Sequence, residues 1–249
     1  MRDTRDMLLV LLSSLLMLTG CSRRDILDDY PVSGVEISLD WNGVTNKLPE
    51  GVRVIFYPKN AEGRKIDTYL SVKGGKVKVP PGRYSVVVYN YDTETVQIRG
   101  EEAYETIEAF TGHCNGLGIA GTEQLVWGPD PLYVVRIDDL KIENSEEELQ
   151  LNWKPKLVVK TYSFKLKVQG LEYVSSIVGS IEGMSSCYDL GLGCGKAGDS
   201  PIYFAARGSA GEVTGSFTVF GTSEGVISRA GNAIKLTLAF VKTDNKVQK

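Results

Sequence analysis

Cysteine at position 21 stands where chemistry is most readily read from the chain. Leu18-Thr19-Gly20 precede it, and before them Met7 to Thr19 form an apolar run of thirteen residues. Small residues ahead of a cut let a chain lie extended in a narrow peptidase cleft. A cysteine left at the new N-terminus offers a thiol that can take a diacylglyceryl group. The run is too short to span the roughly 30 Å of hydrocarbon that about twenty apolar residues cross, and it suits the apolar region of a secretory leader. Two alternatives compete: a leader whose cysteine is incidental, and a retained membrane anchor. Arg2 and Arg5 are offset by Asp3 and Asp6, so the leader begins at Met1 or at Met7.

The remaining reactive types argue against catalysis. His113 is the sole histidine, so any serine or cysteine nucleophile activated by an imidazole must use it. It sits beside Cys114 between glycines 112 and 116, a loop setting, and chain neighbours do not by themselves make a nucleophile and base. His113, Cys114, Cys187 and Cys194 are zinc-ligand types, yet no close Cys-x-x-Cys pair is present. No metal or cofactor site is expected. In an exported protein Cys187 and Cys194 could close a disulfide, leaving Cys114 unpaired, or all three could be thiols. Gly191-Leu192-Gly193-Cys194-Gly195-Lys196 suggests a phosphate loop, but position 190, where the pattern opens on glycine, is leucine, and Ala197 stands where it needs Ser or Thr. Asp28-Asp29, Asp138-Asp139 and Glu146-Glu147-Glu148 could be read as glycosidase carboxylates, though solvated surface is their default. Trp127, in Trp-Gly-Pro, could be an exposed sugar platform, whereas Trp41 and Trp153 lie in strand patterns and belong to a core.

The formal charge is −3. The leader carries two Arg and two Asp, so cutting it away leaves the balance unchanged. There is no basic surplus to neutralise phosphates, and nucleic-acid binding is not expected. Residues 1–20 read as a signal peptide and residues 21–33 as a polar tether. The rest is long enough for one large or two ordinary domains.

The elements that must carry these residues are strands. The chain holds 26 Val against 11 Ala, and glycine and proline punctuate it at short intervals. Period-two alternation runs through Val35–Trp41, Val52–Tyr57, Lys73–Val79, Tyr133–Ile137, Leu149–Trp153, Val158–Val168, Ile202–Ala206, Phe217–Phe220 and Ile234–Val241. Tyr84–Tyr89 is nearly continuous in apolar residues, as a buried central strand requires. Ala103–Phe110 is the one segment that suggests a short helix. Many short strands spaced by turns predict an all-β fold of sandwiches or barrels. Pro155 marks a break near residues 152–156, which divides the chain into 34–154 and 155–249. At the end, Thr243–Lys246 reads as a turn and Val247–Lys249 as the start of a strand partner. The chain stops there, which suggests a truncated last sheet.

Leu18-Thr19-Gly20-Cys21 resembles the bacterial lipobox at all four positions, and the acidic residues that follow Cys21 resemble the surface-export signal of Bacteroides-type lipoproteins. Further on, Val79-Pro80-Pro81-Gly82-Arg83-Tyr84 runs into the corner Asn90-Tyr91-Asp92-Thr93-Glu94. With Phe56-Tyr57-Pro58 upstream and Leu132-Tyr133-Val134 downstream, this stretch resembles a family of Bacteroides-group outer-membrane lipoproteins. That family is allied to the anchor and accessory subunits of type V, fimbrillin-like pili. The resemblance implies two β-sandwich domains of transthyretin-like topology, with acyl chains (palmitate among them) on Cys21. It also implies attachment to the outer membrane, facing outward, and partners of the pilin type joined by strand addition. No catalytic residue carries over. The expected function is a lipid-anchored pilus anchor, accessory or adhesin subunit. The alternatives are a surface glycan-binding lipoprotein and a secreted hydrolase.

Overall fold

The computed structural model describes residues 33–60, 63–114, 124–196, 200–221, 234–244 and 246–248. Cys21 and the leader lie outside the described residues. Within them the chain is almost wholly extended. The first strands are β1 (Ser33–Leu39), β2 (Gly51–Pro58), β3 (Ile66–Ser71), β4 (Gly74–Val79), β5 (Gly82–Asn90), β6 (Val96–Arg99) and β7 (Glu108–Thr111). Then come β8 (His113–Cys114), β9 (Leu125–Trp127), β10 (Tyr133–Ile142), β11 (Leu149–Trp153), β12 (Lys156–Leu157) and β13 (Lys160–Lys167). The last are β14 (Val174–Glu182), β15 (Cys187–Asp189), β16 (Cys194–Lys196), β17 (Ile202–Ser209), β18 (Glu212–Val219), β19 (Lys235–Lys242) and β20 (Val247–Gln248). Among the described residues no helix is long and apolar enough to cross a membrane.

The first sheet has eight strands in the order β11-β1-β4-β3-β2-β5-β10-β12. Alternation puts Val35, Ile37 and Leu39 of β1 and Val77 and Val79 of β4 on one face. These side chains meet Val52, Val54 and Phe56 of β2, Val86 and Val88 of β5, and Trp153 of β11 in a single core. Strands from opposite ends of the sheet thus share one interior. The sheet folds over on itself and makes a sandwich from one continuous ladder, with β3 at the corner. Each such side chain, taken fully out of water, contributes roughly 1.5–3 kcal/mol.

β5 is buried from Tyr84 to Asn90 without a break, as its apolar run predicts. Its odd and even positions serve different cores. Tyr84, Val86 and Val88 face the sandwich interior, while Val87 and Tyr89 face a second core with Ile55, Tyr57, Leu132 and Val134. The far wall of that second core is a four-stranded sheet ordered β16-β15-β7-β6. It supplies Val96, Ile107 and Ala109, and Leu190 and Phe220 close it. This small sheet draws two strands from each half of the chain, joined where β7 pairs with β15 (Glu108 with Asp189, Phe110 with Cys187).

The third sheet runs β13-β18-β17-β14-β19-β20, with β9 pairing β17 in parallel and β8 pairing β9. Val247 and Gln248 pair with Val241 and Phe240, as the sequence predicts.

The segment read as a short helix is not one. Thr106 and Ile107 donate backbone hydrogen bonds to Ala103, a single turn, and the chain then extends as β7. Pairing of β7 with both β6 and β15 satisfies its backbone, and ladder pairing outweighs a weak local preference.

Candidate functional site

The turn between β4 and β5 and the corner after β5 are pinned by their own side chains. The Tyr84 hydroxyl donates to the Pro80 carbonyl at 2.9 Å, which fixes the Pro80-Pro81-Gly82 turn at the mouth of the strand. At the other end the Asn90 amide donates to Pro131 O at 3.2 Å and to Asp92 Oδ1 at 3.1 Å, and Tyr133 N–H donates to Asn90 Oδ1 at 2.7 Å. Asp92 accepts Glu50 N–H, and Asp130 accepts both Glu94 and Thr95 N–H groups. The Asn-x-Asp-Thr-Glu corner is a hydrogen-bonded joint that ties together β2, β5 and β10.

The residues considered for catalysis are dispersed, and most are already engaged. His113 is exposed and Cys114 beside it is buried, in the two-residue strand β8. Burial pushes the Cys114 thiol up, and burial with the nearby Glu108 carboxylate does the same to Cys187, so neither thiol is activated. Among the described residues no three His, Cys, Asp or Glu groups are placed to hold a metal. Cys187 lies across from Lys196 and Cys194 across from Asp189 in the β15–β16 hairpin, so the two cysteines sit diagonally across its strands.

Gly191–Lys196 closes that hairpin. Leu192 N–H donates to Asp189 Oδ1 and Gly193 N–H to Asp189 O, so these amides point inward and cannot cradle an anion. Gly191 is required by space: a Cβ there would sit 2.0 Å from Tyr104 O. The lysine is spent as well, bonded to Glu108 Oε2 at 2.6 Å and to Asp189 Oδ2 at 3.1 Å.

Asp138 and Asp139 fall on a bulge in β10, where pairing with β5 shifts between Ile137 and Leu140. Asp138 takes Arg136 and the Tyr104 hydroxyl, and Asp139 takes Arg83 and Lys59. Those partners hold both carboxyls below the usual range, as ion-paired anions. Glu148 is likewise bonded by Lys76.

Trp127 is exposed and Trp153 buried, as expected; Trp41 is half-buried, packed edge-on against Tyr133. Trp127 meets Tyr203 edge-on at 5.5 Å. A second exposed pair, Tyr69 and Tyr91, lies on the first sheet. These aromatics sit on different sheets and form no continuous row for a sugar chain.

Two charge clusters, absent from any sequence motif, tie strands together: one within the first half and one at the β7–β15 seam. Arg53 of β2 grips Asp67 through both carboxylate oxygens (2.8 and 2.7 Å), donates to the Tyr89 hydroxyl at 2.8 Å and reaches Glu101. Its hydrogen bond with Asp67 raises the guanidinium above its ordinary value. At the β7–β15 seam, Glu108 binds Arg99 and Lys196. Burial alone would raise the Glu108 carboxyl, but hydrogen bonds from Lys196 and Arg99 outweigh it and hold the group below the usual carboxylate range.

An edge without buried residues lies on the third sheet. Among the described residues β13 is an edge strand, paired only with β18, and none of its residues is buried. Tyr162, Phe164 and Leu166 lie opposite Phe217, Gly215 and Val213 and therefore share one face. That face continues through Phe204 and Leu238. Rings lie over glycine there: a Cβ at Gly215 would meet Phe164 at 2.6 Å, and one at Gly179 would meet Phe204 at 2.3 Å. Tyr162, Leu166 and Leu236 remain exposed on it. Among the described residues β19 is paired on its outer side at Phe240 and Val241 alone.

The model of a domain of unknown function, DUF5119, matches residues 20–205. A Bacteroides ovatus protein, named as the candidate fimbrium anchoring subunit Fim4B, is 64% identical over 260 residues, covering 100% of this chain and 78% of the relative. A crystal structure of a candidate adhesin from Bacteroides ovatus superposes with a TM-score of 0.81 at 61% identity, over 92% of this chain and 85% of that one. A Bacteroides thetaiotaomicron structure, described as a candidate polysaccharide binding protein (DUF1812), shares the fold alone: TM-score 0.53, 11% identity, 87% and 78% coverage.

Proposed function

We propose, from the premise that this chain belongs to the DUF5119 family and is similar to a protein named for fimbrium anchoring, that it is a pilus anchor or accessory subunit held at the cell surface by lipid on Cys21. The observation that carries this reading is the division of surface just described. Catalytic residue types are dispersed or locked in ion pairs, while an unburied edge strand and an apolar face are left on the third sheet. An open edge offers unpaired main-chain donors and acceptors, and an adjoining apolar face offers pockets for alternate side chains. Together these suit a partner that adds an extended segment to the sheet.

The mechanism is mechanical, not catalytic. Acyl chains hold one end of the molecule and sheet edges hold the next subunit. One acyl chain gives marginal, reversible binding at about 0.8 kcal/mol per buried CH₂, so the durability of the tether rests on several chains. The outer membrane is the proposed location, and the division into two units near residue 154 is part of the same reading.

Capture from detergent-solubilised outer membranes, comparing the native chain with Cys21→Ala, tests it. The native chain should bring down pilin-type subunits, and Cys21→Ala should move to the soluble periplasmic fraction. Recovery of polysaccharide alone would favour a glycan-binding role, and unchanged membrane retention of Cys21→Ala would remove the lipid anchor.

A further inference from the structure

We infer that the parallel strand pair β1–β11 is a shear clamp, which sets the force at which the protein yields when pulled between its N-terminal tether and its second half. The inference takes from the proposed function only the two points where force enters. The geometry is independent of it.

β1 begins at Ser33, twelve positions after Cys21, so a pull on a lipidated N-terminus enters β1 at its first residue. The covalent route onward to the third sheet leaves β11 at its last residue, Trp153, and then passes β12 (Lys156–Leu157), a two-residue strand paired with β10 at Tyr133 and Val134, the shorter ladder, which yields before β1–β11 carries the load. The two strands are parallel, with Val35 beside Leu149 and Leu39 beside Trp153. The two points of attachment therefore lie at opposite ends of the paired strands, about 20 Å apart along them at roughly 3.3 Å per residue. Tension between them runs along the strands and across the hydrogen bonds, so all the rungs are strained together and must fail together. Were both points at the same end, the rungs would open one after another, each under the full force.

The surroundings of the pair resist sliding. Asp40 N–H donates to Trp153 O at 2.8 Å, beyond the last rung. The Gln150 amide donates to Glu36 Oε2 at 2.8 Å and Ser38 Oγ to Leu151 O at 3.3 Å, both between the two strands. On its other side β1 is paired antiparallel with β4 from Ser33–Val79 to Ser38–Gly74, a second ladder lying along the same line of force. Beneath both ladders, Val35, Ile37, Leu39 and Trp153 interlock in the sandwich core, so slippage would draw buried apolar groups past one another. At the far end Trp41 Nε1 donates to Val72 O at 2.6 Å.

Single-molecule pulling on the full mature chain tests this directly. One handle is placed at the N-terminus. The other is placed at Lys154, at the C-terminal end of β11, or at Glu147, just before its N-terminal end. Both sites are exposed and outside the core. They differ by seven positions, yet the first loads β1 and β11 in shear and the second peels them apart. The Lys154 geometry should require a several-fold higher rupture force, and Ser38→Ala with Gln150→Ala should lower that force while leaving the Glu147 force nearly unchanged. Equal forces in the two geometries would overturn the clamp. Fractionation of Cys21→Ala separates the two readings: membrane retention of that variant with a strong Lys154 geometry removes the lipid anchor and leaves the clamp. Loss of retention with equal forces removes the clamp alone.

Discussion

β5 and β13 are strands of similar length with opposite fates. Seven consecutive residues of β5 are buried, whereas β13 buries none, although both alternate or run in apolar residues. β5 lies between β2 and β10 with a core on each face. β13 is an edge with one neighbour and a face that holds Tyr162 and Leu166 in solvent. The first half of the molecule completes its own sandwich by folding one sheet over itself. The third sheet leaves apolar surface and main-chain groups unspent. Burial is thereby heavier in the first half.

The largest effect that would sharpen this contrast is Phe56→Ala. Phe56 is fully buried and packs edge-on against Tyr84, so its loss should cost about 3–5 kcal/mol in chemical denaturation. Phe164→Ala, on the half-covered face, should cost clearly less, and equal costs would break the comparison. Next comes Gly74→Ala at the β3–β4 turn. Gly74 has a φ of +101°, and a Cβ there would sit 2.0 Å from Ile37 O, so a loss of about 2 kcal/mol is expected.

Glu108→Gln at the seam should cost about 1–2 kcal/mol, because hydrogen bonds to charged groups are lost in a partly desolvated site. The Glu108 carboxyl is held below its ordinary value in the folded protein. Its contribution is therefore present above the unfolded carboxyl pKa and is lost as pH falls through the lowered one. Acid titration of stability should show a step below about pH 4 that is missing in Glu108→Gln. The smallest expected effect on folding is at Leu166→Ser, within about 0.5 kcal/mol, since the side chain is already exposed. The same variant should weaken capture of pilin-type subunits, and undiminished capture would separate this face from the contact.

Much of the first sheet was legible in the sequence. The apolar run of Tyr84–Tyr89 required burial on both faces, and strict alternation in Val35–Trp41 placed one face inside. β14 was not legible. Val174-Ser-Ser-Ile-Val-Gly-Ser-Ile-Glu182 is diluted by serine and glycine, yet it is a central strand of the third sheet. Gly179 is needed there because the Phe204 ring occupies the place of a side chain, a demand visible only when β17 lies alongside. The bulge at Asp138-Asp139 was hidden for the same reason: a solvated acidic pair and a ion-paired one read alike until Arg83, Arg136 and Tyr104 are brought near. Among the surface residues, Trp127 was recognisable as exposed by its turn, and nothing in the chain announced the Tyr69–Tyr91 pair.

Residue order by itself determined that this chain is built of strands and where its central strand lies. Those conclusions depend on composition and local periodicity, which neighbours in sequence carry. Tertiary structure alone decided that β11 returns parallel to β1, that one small sheet is shared between the two halves, and which edge remains open. Each of these is a pairing between segments far apart in the chain, between Val35 and Leu149 or Glu108 and Asp189, and hydrogen-bonding groups common to every residue carry no label for the partner they will find.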